Sequence, residues 1–346
     1  MSELNHRARK ILTAIVQEYI ATGSAVGSRT VTRRYGIDLS AATVRNVMAD
    51  LEEQGLLKQP HTSSGRVPTH DGLRVFVDSL LKVRAFGPRE RDELRAHYNL
   101  PQSDLDEALQ RTSRALSELS RQAAIVITPV AERQRLEHVE FVRLREGELL
   151  AILVVEGGQV ENKLVRVDPM PDAAELERVH NYLNVLIVGR TLEEVRHFIG
   201  EELAKERTRY DLLAERALRL GQLALMIDRE PGVIVSGSAH LLDDEAGDSL
   251  SKEALRAVLS ALEQRERVVE LLDRTLGADG IRVWLGSATP FAAIADLSVV
   301  AASYGPEDRP VGTIAVIGPT RMNYSRVIPL VDFTAELLSD VMALGK

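Results

Sequence analysis

A short polar segment that follows Ser40 contains the side chains best placed for chemistry. Ala42, Thr43, Arg45 and Asn46 fall within its first two helical turns, whereas acidic residues are confined to the last turn. Arg can pair with guanine, Asn with adenine, and a methyl group of Thr or Ala can contact the thymine methyl group. We therefore expect these four residues to read base edges in the major groove of DNA, although an ordinary helix can carry the same polar edge as a solvated surface.

Further polar and basic residues lie on both sides of this segment. Arg and Lys can bind phosphate by charge, and Ser, Thr and His can bind it by hydrogen bonds. The basic loop at residues 61–69 also suits a minor groove, although on its own it is equally compatible with a flexible surface loop. The residues that we expect to contact the DNA backbone are Arg29, Arg33, Ser40, Lys58, His61, Thr62, Ser63, Ser64 and Arg66.

The hydrophobic pattern predicts the elements that would hold these residues. Apolar residues recur every three or four positions in residues 4–21, 28–35 and 41–54, which predicts three helices. Ser40 is a favourable N-cap for the third helix, and a glycine ends it. Residues 56–60 and a second strand after the basic loop would form a β-hairpin. Three short helices followed by a hairpin predict a winged helix-turn-helix.

The charge distribution is consistent with a polyanionic partner at one end of the chain. Residues 1–85 contain twelve Lys and Arg but eight Asp and Glu, a net charge of +4, although the whole chain of 346 residues carries −8. The remaining residues are therefore strongly acidic. A basic end on an acidic body is expected when only that end meets DNA, although chance variation of surface charge gives the same asymmetry.

The rest of the sequence lacks the residue patterns of an enzyme. Cysteine is absent, which excludes disulfides, thiolate nucleophiles and cysteine metal sites. The histidines have no metal-ligand spacing, and no phosphate loop or GxSxG motif occurs, so we expect no catalysis, no metal and no cofactor. One polar cluster could be a ligand site, an interdomain contact, or the cap and packing of the last helix: Arg321, Asn323, Tyr324 and Arg326.

Beyond residue 85 the pattern changes repeatedly between helix and strand. Helices are predicted at 88–97, 103–121, 172–188, 191–206, 208–228 and 324–344, and strands at 123–128, 139–144, 149–155, 160–167, 233–235, 281–285, 297–303 and 312–317. We expect a single antiparallel sheet flanked by helices, an α+β arrangement. The helical block between the strand groups predicts an inserted unit, although these helices could instead pack on the sheet within one domain.

Three segments together resemble the motifs of a known family. Residues 42–57 (ATVRNVMADLEEQGLL), 61–69 (HTSSGRVPT) and 317–328, which include IGPTRMNY and RVI, are similar to the heat-inducible transcription repressor family HrcA. The resemblance covers the whole length, and it implies a GAF-like antiparallel-sheet domain and an inserted, mainly helical dimerisation domain. We accordingly expect a winged helix-turn-helix with its linker helix at 1–85, the GAF-like domain at 86–167 and 246–346, and the insertion at 168–245.

The resulting hypothesis is a cytoplasmic repressor of heat-shock chaperone operons that binds an inverted-repeat operator as a homodimer. The family resemblance also implies that chaperonin maintains the active repressor. The alternative is a metabolite-sensing transcription regulator with a small ligand in the GAF-like domain. No apolar run is long enough to span a membrane, and the N-terminus lacks a signal-peptide pattern, so we expect no membrane partner.

Overall fold

The chain combines helices with three antiparallel sheets in the computed structural model. The structure describes residues 4–61, 64–100, 105–129, 135–156, 159–204, 212–225, 232–242, 259–260, 262, 268–269, 272, 280–286, 297–306 and 309–344. The mixture of helix and antiparallel sheet confirms the predicted α+β class at its coarsest level. Within the described ranges, no helix has both the length and the apolar composition needed to cross a bilayer.

Three helices and a short hairpin form what we call the N-terminal unit, residues 4–80. Asn5 begins the first helix by accepting a hydrogen bond from a first-turn amide at 2.9 Å, and Gly23, with φ of +66°, ends it in the left-handed region. Ser40 caps the third helix through the amide of Thr43 at 3.1 Å. The elements are α1 (His6–Thr22), α2 (Ser28–Arg34), α3 (Ala41–Glu53), β1 (Leu57–Lys58) and β2 (Val67–Pro68).

A linker connects the hairpin to the rest of the chain. α4 (His70–Val75) continues as a π-helical turn, Phe76–Leu80, and its buried Leu73 and Phe76 join the core of the N-terminal unit. Two further helices, α5 (Pro88–Tyr98) and α6 (Leu105–Ser120), then lead to the first long strand.

A five-stranded antiparallel sheet forms the centre of the body. Its central strand β10 is buried at every position, because alternate residues enter two different cores. Ile314 and Val316 belong to the core that includes the last helix, α10 (Tyr324–Leu344), whereas Ala315 and Ile317 belong to the core on the opposite face. The strands, in the order β7-β3-β10-β9-β8, are β7 (Val233–Ser236), β3 (Ala123–Ile127), β10 (Gly312–Pro319), β9 (Leu297–Tyr304) and β8 (Arg282–Leu285).

The remaining long strands form a separate sheet, so the prediction of a single antiparallel sheet is wrong. This three-stranded sheet has the order β4-β5-β6 and shares one apolar core with three helices rather than with the larger sheet. Alternation of apolar residues identifies a strand but not its partner, which explains the error. The elements are β4 (Leu136–Arg145), β5 (Glu148–Val155), β6 (Gln159–Arg166), α7 (Ala173–Ile187), α8 (Leu192–Ala204) and α9 (Leu212–Leu225).

The N-terminal unit is packed onto the body. Its buried residues and those at the start of α10, such as Met322 and Val327, form one continuous apolar cluster. Two polar contacts flank this cluster. The guanidinium of Arg321 lies against Gly23 at the C-terminal end of α1. At the other contact, Nε2 of His70 donates a hydrogen bond to the carbonyl of Leu285 in β8 at 2.6 Å.

Replacement of Gly23 by alanine tests the contact with Arg321. Gly23 and Gly36 both have positive φ, +66° and +57°, so alanine is strained at both positions. Only at Gly23 would the new Cβ also displace a side chain, the Arg321 guanidinium, whereas nothing lies within 4 Å at Gly36. We expect Gly23→Ala to lower the free energy of unfolding by roughly 1 kcal/mol more than Gly36→Ala, because the new Cβ would force the guanidinium out of its packed position.

Urea unfolding of the full chain measures this difference, and Arg321→Ala supplies the control background. Without the guanidinium the collision is gone, so the two glycine variants should destabilise the chain equally. A difference that persists in the Arg321→Ala background would contradict the contact.

Candidate nucleic-acid interface

α3 is anchored by one face and exposed on the other. Val44, Met48 and Leu51 are buried in the core of the N-terminal unit, at the spacing of one helical face. The opposite edge leaves Arg45 and Asn46 exposed to solvent. Ala42 is also exposed and Thr43 is half-buried, with its hydroxyl 2.9 Å from that of the capping residue Ser40. The four predicted base-reading residues therefore share an uncovered, largely polar edge at the N-terminal end of α3.

A buried carboxylate holds α2 against α1. The side chain of Glu18 is only 8% exposed, and it accepts a hydrogen bond from Arg34 Nη1 at 2.6 Å and from the Tyr35 hydroxyl at 3.1 Å. Burial, and next the hydrogen bond to Glu18, raise the pKa of Tyr35. These bonds fix the end of α2 just before the turn that leads into α3. Arg29 and Arg33, on the same short helix, remain exposed.

The hairpin is joined by backbone hydrogen bonds to the segment between α1 and α2. β1 and β2 pair antiparallel, with Lys58 opposite Val67, and the backbone of Arg66 exchanges two hydrogen bonds with that of Val26 at 2.8 and 2.9 Å. The loop is closed by Ser64, whose hydroxyl donates to the carbonyl of His61 at 2.7 Å. Lys58 and His61 are exposed and Ser64 is half-buried, while Thr62 and Ser63 lie outside the described residues.

Arg66 differs from the other predicted backbone ligands. Its Nε lies 2.8 Å from Oε2 of Glu52 in α3, and its side chain is only 16% exposed. The other carboxylate oxygen of Glu52 accepts a hydrogen bond from the amide of Gln59 at 3.0 Å. Arg66 thus ties the hairpin to α3 instead of extending toward solvent. This ion pair argues against the predicted phosphate contact of Arg66, because its charge is largely neutralised within the N-terminal unit.

Sequence reasoning missed the two carboxylates that position the interface. Glu18 interrupts an apolar helical face of α1, and a charge in such a place requires a buried partner, which is a signal visible in the sequence. Glu52 gave no such signal. It lies in a run of acidic residues at the end of α3, and its pairing with Arg66 depends on the register of the hairpin.

The C-terminal polar cluster does not converge on a ligand site. Tyr324 is sealed in the core, where its hydroxyl lies 2.7 Å from that of Ser298 and donates to the Thr320 carbonyl at 2.6 Å, and burial raises its pKa. Asn323 and Arg326 are exposed at the start of α10. Arg321 instead makes the contact with the N-terminal unit described above. The cluster therefore divides into a core hydroxyl, a helix start and an interdomain contact.

The described residues contain no group of three or more His, Asp or Glu side chains that could hold a metal ion. On both faces of the five-stranded sheet, the side chains of the inner strands β3, β10 and β9 pack into apolar cores.

Comparisons with known proteins agree on one family. A family model described as the HrcA protein C-terminal domain matches residues 106–328. A heat-inducible transcription repressor HrcA from Sorangium cellulosum (strain So ce56) is 45% identical over 344 residues, which cover 99% of each chain. The protein of the same description from Geobacter sulfurreducens is 42% identical over 343 residues, again 99% of each chain.

One solved structure has a similar fold. It is described as a hypothetical protein at 2.2 Å resolution, and it matches with a TM-score of 0.64 at 24% identity, over 99% of this chain and 100% of its own. The fold similarity therefore extends over the whole length of both proteins.

A double-mutant cycle tests the role of Glu52 and Arg66. Their ion pair is largely shielded from water, so we expect a coupling energy of about 1–2 kcal/mol between Glu52→Ala and Arg66→Ala. The matched control is the pair Arg84–Glu90, whose side chains are 78% and 46% exposed and whose coupling should be at most about 0.5 kcal/mol. Urea unfolding of the full chain measures the coupling energy of both pairs. Equal coupling in the two pairs would refute the anchoring role.

Proposed function

The chain belongs to the HrcA family of heat-inducible transcription repressors, and we propose that it represses heat-shock chaperone operons by binding an inverted-repeat operator as a dimer. The family is one of repressors, not of enzymes. In this proposal residues 4–80 act as a winged helix-turn-helix, with α3 as the recognition helix and the β1–β2 hairpin as the wing. The observation that carries it is the exposed polar edge of α3 on a helix whose other face is buried.

Base reading is assigned to Ala42, Thr43, Arg45 and Asn46. A recognition helix enters the major groove by its N-terminal end, and these residues lie in the first two turns of α3. Arg45 and Asn46 are exposed, and their side chains can form hydrogen bonds with guanine and adenine, respectively. The acidic residues of α3 lie in its last turn, where they stay clear of the phosphates.

Phosphate binding is assigned to residues that surround α3. Both α2 and β1 pack against α3, so their exposed side chains flank the proposed base-reading edge. Arg29, Arg33 and Lys58 form no ion pair with another described residue, which leaves their charge available for phosphate. Arg66 is omitted because Glu52 neutralises it. The remaining proposed backbone contacts are Ser40, His61, Thr62, Ser63 and Ser64.

The body is proposed to consist of a GAF-like domain and a dimerisation insertion. The five-stranded sheet with α6 and α10 would be the GAF-like domain. The insertion, expected at 168–245, would start near residue 135, since the sheet β4-β5-β6 shares its core with α7, α8 and α9. One face of this small sheet carries apolar residues that are 39% to 53% exposed, namely Val142, Leu144, Val160 and Leu164. A second copy of the chain would cover that face, because contiguous exposed apolar surface marks an interface.

Two further parts of the proposal rest on the family resemblance. Chaperonin would be the partner that maintains the active repressor, so that its diversion to damaged proteins on heating derepresses the operons. The repressor would act in the bacterial cytoplasm, where its DNA partner lies.

Arg45→Ala and Lys58→Ala should have different effects on DNA binding. Loss of a base contact at Arg45 should weaken operator binding by about 1–3 kcal/mol and leave binding to random duplex nearly unchanged. Loss of a phosphate contact at Lys58 should weaken both alike and lower the salt slope of log K by about 0.9. Gel shifts at several salt concentrations provide the measurement. Unchanged discrimination by Arg45→Ala would reject α3 as the recognition helix.

Leu164→Asp should dissociate the proposed dimer. Leu164 is 48% exposed on the open face of the small sheet, and a buried unpaired carboxylate there should weaken dimerisation at least about tenfold. Val83→Asp is the matched control, because Val83 is 43% exposed between α4 and α5, away from that face. Sedimentation velocity should detect monomers for Leu164→Asp alone. Dimers that persist at all concentrations would remove this face from the interface.

A further inference from the structure

A groove of about 820 Å³ opens beside α1, outside the interface assigned above. It is bounded by α1, by residues 35–39 between α2 and α3, by residues 79–82 at and after the end of the π-helical turn, and by Ser325 in the first turn of α10. We call it the α1 groove. Its α1 side is polar, since His6, Lys10, Thr13 and Gln17 follow one another at the spacing of one helical face.

The α1 groove carries a concentration of positive charge that the described residues around it do not balance. Arg7, Arg9, Lys10 and Lys82 line it and are exposed, whereas Asp38 is the single carboxylate among its described lining residues. Within the described part of the chain, none of the four cations forms an ion pair. Like charges this close repel one another, so the groove favours an anionic partner with several charges.

Four other cations of the same region are paired with carboxylates, unlike those of the groove. Arg34 pairs with Glu18, Arg66 with Glu52, Arg74 with Asp78 and Arg84 with Glu90. Carboxylates are therefore available in this region, yet they leave the groove unneutralised.

The cations of α1 also lie at the unfavourable end of their helix. The first turn of α1 contains Arg7 and Arg9 and no acidic residue. The positive end of the helix dipole lies there, so cations in this turn lower the stability of the helix. Their presence is not explained by the stability of α1, and a role in binding accounts for them.

The groove adjoins the proposed recognition helix. Leu39, which lines the groove, directly precedes Ser40, the N-cap of α3. The N-terminal end of α3 is the end that would enter the major groove, and phosphates of both strands border that groove. The groove thus reaches the residue that precedes the N-cap of α3.

We propose that the α1 groove binds phosphates of the DNA duplex that flank the bases read by α3. This inference rests on the proposed function and extends its footprint. Arg7, Arg9, Lys10 and Lys82 bind the backbone without regard to sequence, so they add salt-dependent affinity and no discrimination. DNA is favoured over an acidic protein because the groove is continuous with the surface assigned to α3.

The test uses the full chain with three alanine substitutions, Arg7→Ala, Arg9→Ala and Lys10→Ala. The matched control, Arg114→Ala, Arg178→Ala and Arg282→Ala, removes three exposed charges from the body. The probes are the duplex that wild-type protein protects at its own chaperone promoter and a random duplex of equal length. For the groove variant alone, we expect the slope of log K against log salt concentration to fall in magnitude by about 2–3 on both duplexes. The ratio of operator affinity to random-duplex affinity should stay unchanged.

Phosphate-ethylation interference adds a readout of position, since the groove variant should lose sensitivity at phosphates flanking the base-reading half-site. The melting temperature of the groove variant should equal or exceed that of wild type. If the triple variant unfolds, the single substitution Lys82→Ala, which lies outside the helices, should still lower the salt slope by a smaller amount. A wild-type slope and interference pattern in both groove variants would overturn the inference. Failure of wild-type protein to prefer operator over random duplex would instead overturn the proposed function.

Discussion

The arrangement of the N-terminal unit depends on the burial of one face of α3. Val44, Met48 and Leu51 are fully or almost fully buried, and each contributes on the order of 1.5–3 kcal/mol by leaving water. Because these three side chains occupy one helical face, the opposite edge cannot also be buried against the same core. The apolar packing that holds α3 in place is thus what leaves Arg45 and Asn46 in water.

Carboxylates divide the cations of this unit into structural and available ones. Glu18 pairs with Arg34, and Glu52 pairs with Arg66. In the first pair the carboxylate is the less exposed partner, and in the second it comes from the neighbouring helix α3. A guanidinium that is paired inside the unit contributes to its geometry, since separating the pair would leave a charge without a partner. An exposed and unpaired cation does not contribute to the geometry of the unit, and binding an anion lowers its free energy. Ion pairing, rather than charge alone, therefore identifies the residues that are free to bind phosphate.

Local structure was predictable from the sequence, whereas long-range pairing was not. Strong periodicity and good caps predicted α1, α3 and α10 to within two residues, and Ser40 caps α3 as expected. The strand β3, by contrast, pairs with β10 and β7, which lie more than a hundred residues further along the chain. A strand pattern contains no information about such partners, so the split into two sheets was missed. The pairing of Arg66 with Glu52 was missed for the same reason, because only the hairpin brings the two side chains together.

The attachment of the N-terminal unit to the body has a consequence for the proposed dimer. A symmetric operator requires two recognition helices about 34 Å apart, with a fixed relative orientation. If a flexible linker joined α3 to the body, dimerisation through the small sheet would raise the local concentration of the second recognition helix. It would not fix the distance between the two recognition helices. The shared core with α10, the Arg321 contact at Gly23 and the bond from His70 to Leu285 make α3 and the body one packed structure. In the proposed dimer, the geometry of the insertion would then determine half-site spacing, and any change that loosens the body would reach the DNA through these contacts.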